Sequence, residues 1–166
     1  MKALLDFLAF QALWFACVLG VARGHEWAGP MCVLGWCAWH VARSPRRLRE
    51  VRALIEVTLL GTLADTLIAR AGWLHYTGTP IAGFLAPLWI AALWAAFAST
   101  FDTTFAWVAK DLRLAALLGA LAAPLSYLGG ERLGALEVGT PRLLSLACVG
   151  ALWALALPLA VRVYRR

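Results

Sequence analysis

The chain is built from apolar stretches too long and too poor in charge for water to tolerate. Leu4–Val21, Trp27–Val41, Ala53–Ala69, Ile81–Phe101, Leu114–Leu128 and Leu143–Val161 each hold at most two Asp, Glu, Lys, Arg or His. A helix crossing a bilayer needs about 20 mostly apolar residues, with a range of about 17–25. Charged residues make up 14% of the chain, against about 25% in soluble domains. So few charges cannot coat a globule, which excludes a soluble enzyme, a disordered chain and a coiled coil. The expected fold is all-α: a polytopic membrane protein, one compact bundle of six transmembrane helices over residues 1–166. The second and fifth stretches are short, and neighbouring loop residues are expected to extend them. The connections carry breakers such as Gly24, Pro45, Gly72, Gly78, Pro80, Gly139 and Pro141.

Six crossings place both termini on one side, and cytoplasmic loops are enriched in Lys and Arg. One set of loops and ends holds Lys2, Arg43, Arg46, Arg47, Arg49, Arg52, Lys110, Arg113, Arg162, Arg165 and Arg166; the other holds Arg23, Arg70, Arg132 and Arg142. Eleven against four predicts both termini in the cytoplasm and accounts for the basic balance of the chain, a net charge of +6. The Arg43–Arg52 run then marks topology and contact with anionic headgroups, and no nucleic acid is expected as a partner. The first stretch starts like a signal peptide, with Lys2 before an apolar run. Asp6, Gln11 and Trp14 interrupt it and no A-x-A site follows, so a retained helix is expected.

Cys17, Cys32, Cys37 and Cys148 sit in apolar stretches without CxxC or Cys/His spacing, so they read as small hydrophobes. No metal or cofactor is expected: His25, His40 and His75 fall at different ends, and HExxH, GxSxG, P-loop and GxGxxG patterns are missing. Nine Trp are many for this length. Trp27, Trp73, Trp39 and Trp107 fit interfacial belts. Trp14, Trp36, Trp89, Trp94 and Trp153 lie deeper, where each ring N–H seeks a partner; packing, or walls around a flat apolar ligand, are the two readings.

Helix association in lipid relies on small residues, present at four-residue spacing in Ala91/Ala95, Ala92/Ala96, Gly119/Ala123 and Gly150/Ala154. Pro87, Pro124 and Pro158 are expected inside helices, freeing the carbonyls of Gly83, Ala120 and Ala154.

Ionisable groups inside spans are the strongest functional pointers, each costing about 2.5–3.5 kcal/mol at a helix centre. Asp65 is the deepest. Thr58, Gly61 and Thr62 precede it on the same helical face, giving the third helix a small, polar stripe that should face the bundle interior. Asp65 is the candidate catalytic residue; the bland alternative is a carboxylate that bonds a neighbouring helix. Thr58, Thr62, Trp89, Trp94, Arg70, His75 and Tyr127 are the candidate ligand-binding residues. Glu56 is expected to pair with Arg52. Asp6 and Asp102 read as interfacial and solvated, Asp102 capping a Phe105–Leu112 segment. Arg23, His25, Glu26, Arg70, His75, Tyr76, Ser126, Tyr127, Glu131 and Arg132 collect at the outer ends, as a wet loop surface or an acid–base site.

Four strings carry a resemblance: Trp14-Phe15-Ala16-Cys17-Val18-Leu19-Gly20; Gly61-Thr62-Leu63-Ala64-Asp65; Ala86-Pro87-Leu88-Trp89 running to Leu93-Trp94-Ala95-Ala96-Phe97-Ala98; and Ala123-Pro124-Leu125-Ser126-Tyr127-Leu128-Gly129-Gly130 with Leu133-Gly134-Ala135. Together they resemble an uncharacterised bacterial inner-membrane family of short multi-span proteins, over nearly the whole chain. The resemblance implies a place beside genes for fatty-acyl modification, and so a role near membrane lipids. It brings no activity, and it puts Asp65, Pro87, Trp89, Trp94, Pro124 and Tyr127 at the positions expected to matter. Neither a six-span vitamin-transport subunit nor the tryptophan-rich five-span sterol-binding family fits the motifs.

Three functions remain open. The chain binds or processes a lipid or small apolar molecule within the bundle. It is a carrier, or the substrate-binding subunit of one. Or it is a non-catalytic subunit whose polar stripe meets a partner membrane protein or a second copy. Sequence alone suggests that Asp65→Asn impairs activity while sparing expression.

Overall fold

A computed structural model describes residues 2–166, with the side chain of Lys2 outside the described set. The fold is all-helical, with six helices: α1 Lys2–Ala22, α2 Ala28–Arg43, α3 Arg47–Arg70, α4 Leu88–Ala98, α5 Leu112–Arg132 and α6 Arg142–Tyr164. Short strands decorate the connections: β1 Leu74–Tyr76, β2 Pro80–Ile81, β3 Leu85–Pro87 and β4 Leu136–Val138. Three helices, α1, α5 and α6, are long and apolar enough to cross a membrane. With 24 residues α3 has the length, but Glu56, Asp65 and Arg70 interrupt its apolar run. The 16 residues of α2 and 11 of α4 rise only about 24 and 17 Å, short of a hydrocarbon core of about 30 Å.

The fourth expected span, Ile81–Phe101, is the main correction. Only Leu88–Ala98 of it is helix. Gly78, Ala82 and Gly83 take positive φ of 103°, 53° and 79°, which a right-handed helix cannot include. The chain instead turns into an antiparallel β2–β3 hairpin, Pro80 opposite Pro87. Pro87 stands at the N-terminal boundary of α4 in extended conformation, φ −59°, ψ 157°. There its missing N–H costs nothing, so it frees no helical carbonyl at Gly83. Past Ala98, the Ser99 hydroxyl donates to Ala96 O (2.7 Å) and the Thr100 hydroxyl to Phe97 O (2.5 Å). Such back-bonding competes with the helical ladder, and turns follow. Asp102 caps nothing here; Asp111 caps α5, accepting from the N–H of Arg113 (2.8 Å) and Leu114 (3.4 Å). The Phe105–Leu112 segment is turns and a 3₁₀ turn at Val108–Lys110.

Contacts between connections show that successive helices run in alternating directions. At one end β1 pairs with β4, Leu74 opposite Val138, and Glu26 accepts from the Thr79 N–H at 3.0 Å. At the other, Thr104 donates to Ala3 O (2.8 Å), Arg49 to Tyr164 O (3.4 Å) and Arg165 to Ala109 O (2.6 Å). Arg23, Arg70, Arg132 and Arg142 belong to the first end; the remaining described cations of the eleven-membered set belong to the second.

Glycines set the close crossings. A Cβ on Gly29 would lie 2.3 Å from Cys17 Cα, joining α2 to α1, and one on Gly119 would lie 2.4 Å from the Trp153 carbonyl oxygen, joining α5 to α6. A Cβ on Gly150 would lie 2.7 Å from Ala120 O. That carbonyl is the one whose helical donor Pro124 removes, so the glycine backbone closes on the orphaned oxygen. Of the expected small pairs, Gly119/Ala123 and Gly150/Ala154 therefore lie at the α5–α6 crossing.

Candidate functional site

The polar stripe of α3 turns inward, as expected, and meets four aromatic side chains. Gly61 lacks the Cβ that would collide with Trp94, so the indole lies flat against α3 one turn before Asp65. From there Trp94 Nε1 donates to Asp65 Oδ2 at 2.6 Å. The Tyr127 hydroxyl from α5 and the Tyr76 hydroxyl from β1 both donate to Oδ1. Trp153 Nε1 from α6 donates to the Tyr127 oxygen at 3.1 Å, and its ring stacks on Trp94 with centroids 4.5 Å apart. Asp65 is 1% exposed and accepts three hydrogen bonds. Bonds to a charged group are worth about 1.5–3 kcal/mol each. Three of them offset part of the cost of burying an acid, and no cationic side chain among the described residues bonds to it.

Trp89 donates to Thr77 O at 2.9 Å and meets Tyr76 edge-on at 5.9 Å. Trp36 donates to the Ser99 hydroxyl at 2.9 Å. Of the five deep tryptophans, four thus find a partner for the ring N–H.

Beside this network lies an apolar cavity of about 300 Å³, at the lower end of ligand sites, which run about 300–1,000 Å³. Phe10 and Trp14 of α1, Phe97 of α4, Phe105 and Trp153 wall it, and Asp65 and Tyr127 line it. No Lys, Arg or His lines it among the described residues. Helix α1 packs on α2 and α4, whereas α5 packs on α6, so the cavity occupies the space between two helix groups.

Of the expected site residues, Asp65, Trp89, Trp94 and Tyr127 come together. The threonines do not join them: Thr62 spends its hydroxyl on Thr58 O at 2.8 Å, and Thr58 is only half-buried. Arg70 and His75 are exposed and line no part of the cavity. The strand explains His75, because side chains alternate: Leu74 and Tyr76 face the bundle and His75 faces out. That alternation in Leu-His-Tyr was the available signal for Tyr76 as a partner of Asp65. Trp153 stood out only as a deep tryptophan and Phe97 only within the resemblance; their meeting depends on packing between α6 and α4. The outer acids serve the loops: Glu131 pairs with Arg142 (2.6 Å) and Glu26 holds Thr79. The Arg52–Glu56 pair forms as expected, at 2.7 Å.

At the far end Glu50, 6% exposed, accepts from the Tyr164 hydroxyl at 2.7 Å and pairs with His40 Nε2 at 3.0 Å. Asp102 Oδ2 lies 3.2 Å from the same hydroxyl. Asp6, expected to be solvated, is 4% exposed, because the Asp6, Leu13, Cys17 stripe faces the interior. The hydrogen bond from His40 holds the Glu50 carboxyl below its ordinary 4.5, against desolvation. A depressed value means stability present above that ordinary value and lost as pH falls through the folded one. Glu50→Gln should lower the thermal midpoint by on the order of 5 °C near neutral pH. The gap to wild type should close as the pH of the melts drops below the carboxylate range. A pH-independent gap would count against the pair.

A family model described as protein of unknown function (DUF2878) matches residues 3–159. Comparison with curated proteins and with solved structures found no match.

Proposed function

The chain belongs to the DUF2878 family of proteins of unknown function, and from that premise we propose that it is an integral membrane protein that binds or processes a lipid-derived or other small apolar molecule inside its helix bundle. The observation that carries this reading is the aromatic-walled cavity of about 300 Å³ with one buried carboxylate on its wall. Protein interiors are otherwise close-packed, and this space stands open between the helix groups. The ligand's apolar body replaces lost packing, and its polar group meets Asp65. Because the cavity lies between α1 and α5, both long enough to face lipid, an apolar ligand enters sideways from the bilayer without passing through water.

We further propose six membrane crossings with both termini in the cytoplasm of a bacterial inner membrane. The alternating helix directions and the eleven-to-four division of cations support this orientation. In that arrangement the short α2 and α4 reach across the bilayer only with their flanking segments, the β2–β3 hairpin among them. That hairpin satisfies its backbone against β3 and α3, where the Thr66 hydroxyl accepts from the Ala86 N–H at 3.0 Å.

Native mass spectrometry of the protein released from its own membrane tests the binding reading. Wild type should carry a retained apolar adduct. Ala123→Phe, which projects a ring into the cavity from α5, should lose it with the fold intact. Wild-type protein released bare, under conditions that keep annular lipid on other helices, would sink the reading.

A further inference from the structure

The charge of the cavity narrows what fits it. Asp65 has two oxygens with about four acceptor sites. Tyr76 and Tyr127 take two on Oδ1, and Trp94 takes one on Oδ2. One site on Oδ2 remains, on a side chain that lines the cavity. The three donors are neutral, so no cation is paired with the Asp65 carboxyl group. No basic side chain lines the cavity among the described residues. Aliphatic and aromatic side chains share the rest of the wall, and aromatic faces carry the negative lobe of the ring quadrupole. Trp89, Trp94, Phe97, Tyr127 and Trp153 all line it. Asp65 is the only Asp, Glu, Lys, Arg or His in the described lining, beside the neutral Ser126 hydroxyl and Trp14 ring N–H, so no cationic group is there to meet a fatty-acid carboxylate or a phosphate. A neutral alcohol could use the free site on Oδ2 but would leave the field of the rings unused.

Resting on the binding reading above, we propose that this cavity takes an apolar amine, with its ammonium head between the Asp65 carboxylate and the aromatic faces, that of Phe97 among them, and its apolar body among Phe10, Phe105 and Leu118. The size of the cavity suits a single-chain or compact amphiphile. The chemistry is the same whether the amine belongs to a membrane lipid or to a diffusible lipophilic cation.

The test uses the full chain in phosphatidylcholine nanodiscs and three probes of equal chain length: dodecylammonium, dodecanol and laurate. The ammonium probe should bind at least tenfold more tightly than either of the others. Asp65→Asn should abolish that preference. Since this variant perturbs the fold, Phe97→Leu provides a second measurement that leaves the carboxylate and its donors in place. Losing one ring face should weaken the ammonium probe about fivefold and dodecanol less than twofold, in line with a cation–π contribution at a desolvated site. Dodecanol binding as tightly as the ammonium probe, or Phe97→Leu weakening both equally, would overturn the amine assignment while leaving an apolar binding protein. If none of the three binds, both readings fall. Discs containing phosphatidylethanolamine separate the sources: competition with the ammonium probe supports an amine borne by lipid, and its absence supports a diffusible amine.

Discussion

Asp65→Ala should be among the most destabilising single substitutions in this chain, costing on the order of 3–6 kcal/mol. The reason lies in the donors that the carboxylate leaves behind. Tyr76, Tyr127 and Trp94 all point a hydrogen at it, and Asp65 is 1% exposed, so water does not readily replace it. Each buried donor without an acceptor costs about 1–3 kcal/mol, and three that share one partner do not simply add. Asn makes the sharper variant. Its carbonyl can still accept from both tyrosines, but its amide then turns N–H toward Trp94 Nε1–H, donor against donor across 2.6 Å. The expectation from sequence, that Asn spares the fold, therefore changes: Asp65→Asn should lower the thermal midpoint in detergent clearly. Trp94→Phe removes the opposing donor. It should be harmful in the wild-type background and partly restorative beside Asp65→Asn, a coupling that a double-mutant cycle of melts would read. Equal melting of wild type and Asp65→Asn would mean that the three donors find other acceptors.

How much of this site the sequence disclosed follows from the kind of signal each residue gives. Periodicity put Thr58, Gly61, Thr62 and Asp65 on one face of α3, and buried positions at Gly61, Thr62 and Asp65 agree. The cost of an acid within a span marked Asp65 itself. Burial of Trp89, Trp94 and Tyr127 around it depends on two other helices, α4 and α5; the depth of the two tryptophans and the resemblance pointed to these residues without showing that they meet Asp65. Arg70 and His75 misled because proximity along the chain was taken for proximity in space; the end of α3 and the alternation of β1 turn both outward. The missed hairpin has a different origin. Ile81–Phe101 carries no charged residue and is apolar up to Ser99, and hydropathy alone cannot tell a helix from a buried hairpin. Gly78, Pro80, Gly83 and Pro87 held the needed information, since glycines at that density favour turns and each proline restricts its predecessor. Asp6 shows a limit of depth as a guide: near a helix end, burial is decided by which stripe the residue shares, here that of Leu13 and Cys17.

Gly61→Ala, a change of one methyl group, should cost on the order of 1.5–5 kcal/mol and should blue-shift or quench the fluorescence contributed by Trp94. A Cβ at position 61 would fall 1.8 Å from Trp94 Cδ2 and 2.2 Å from both Cε2 and Cγ. The indole cannot retreat, because Trp153 stacks on its other side at 4.5 Å and Asp65 holds its N–H. Overpacking of this sort costs about 1–3 kcal/mol, and displacing the ring loses a further bond to a charged group, worth about 1.5–3 kcal/mol. Helix propensity acts the other way, favouring Ala over Gly by about 1 kcal/mol, so the packing term has to win for the prediction to hold. Gly35→Ala supplies the contrast. Gly35 is also inside a helix, α2, but a Cβ there meets nothing within 4 Å, so only propensity acts and the variant should melt at or above the wild-type midpoint. The two substitutions are chemically identical, and their difference isolates the close approach of Trp94 to α3. If both variants melted alike, Trp94 would not lie on Gly61, and the carboxylate beside it would lose its Oδ2 donor along with the wall of the cavity.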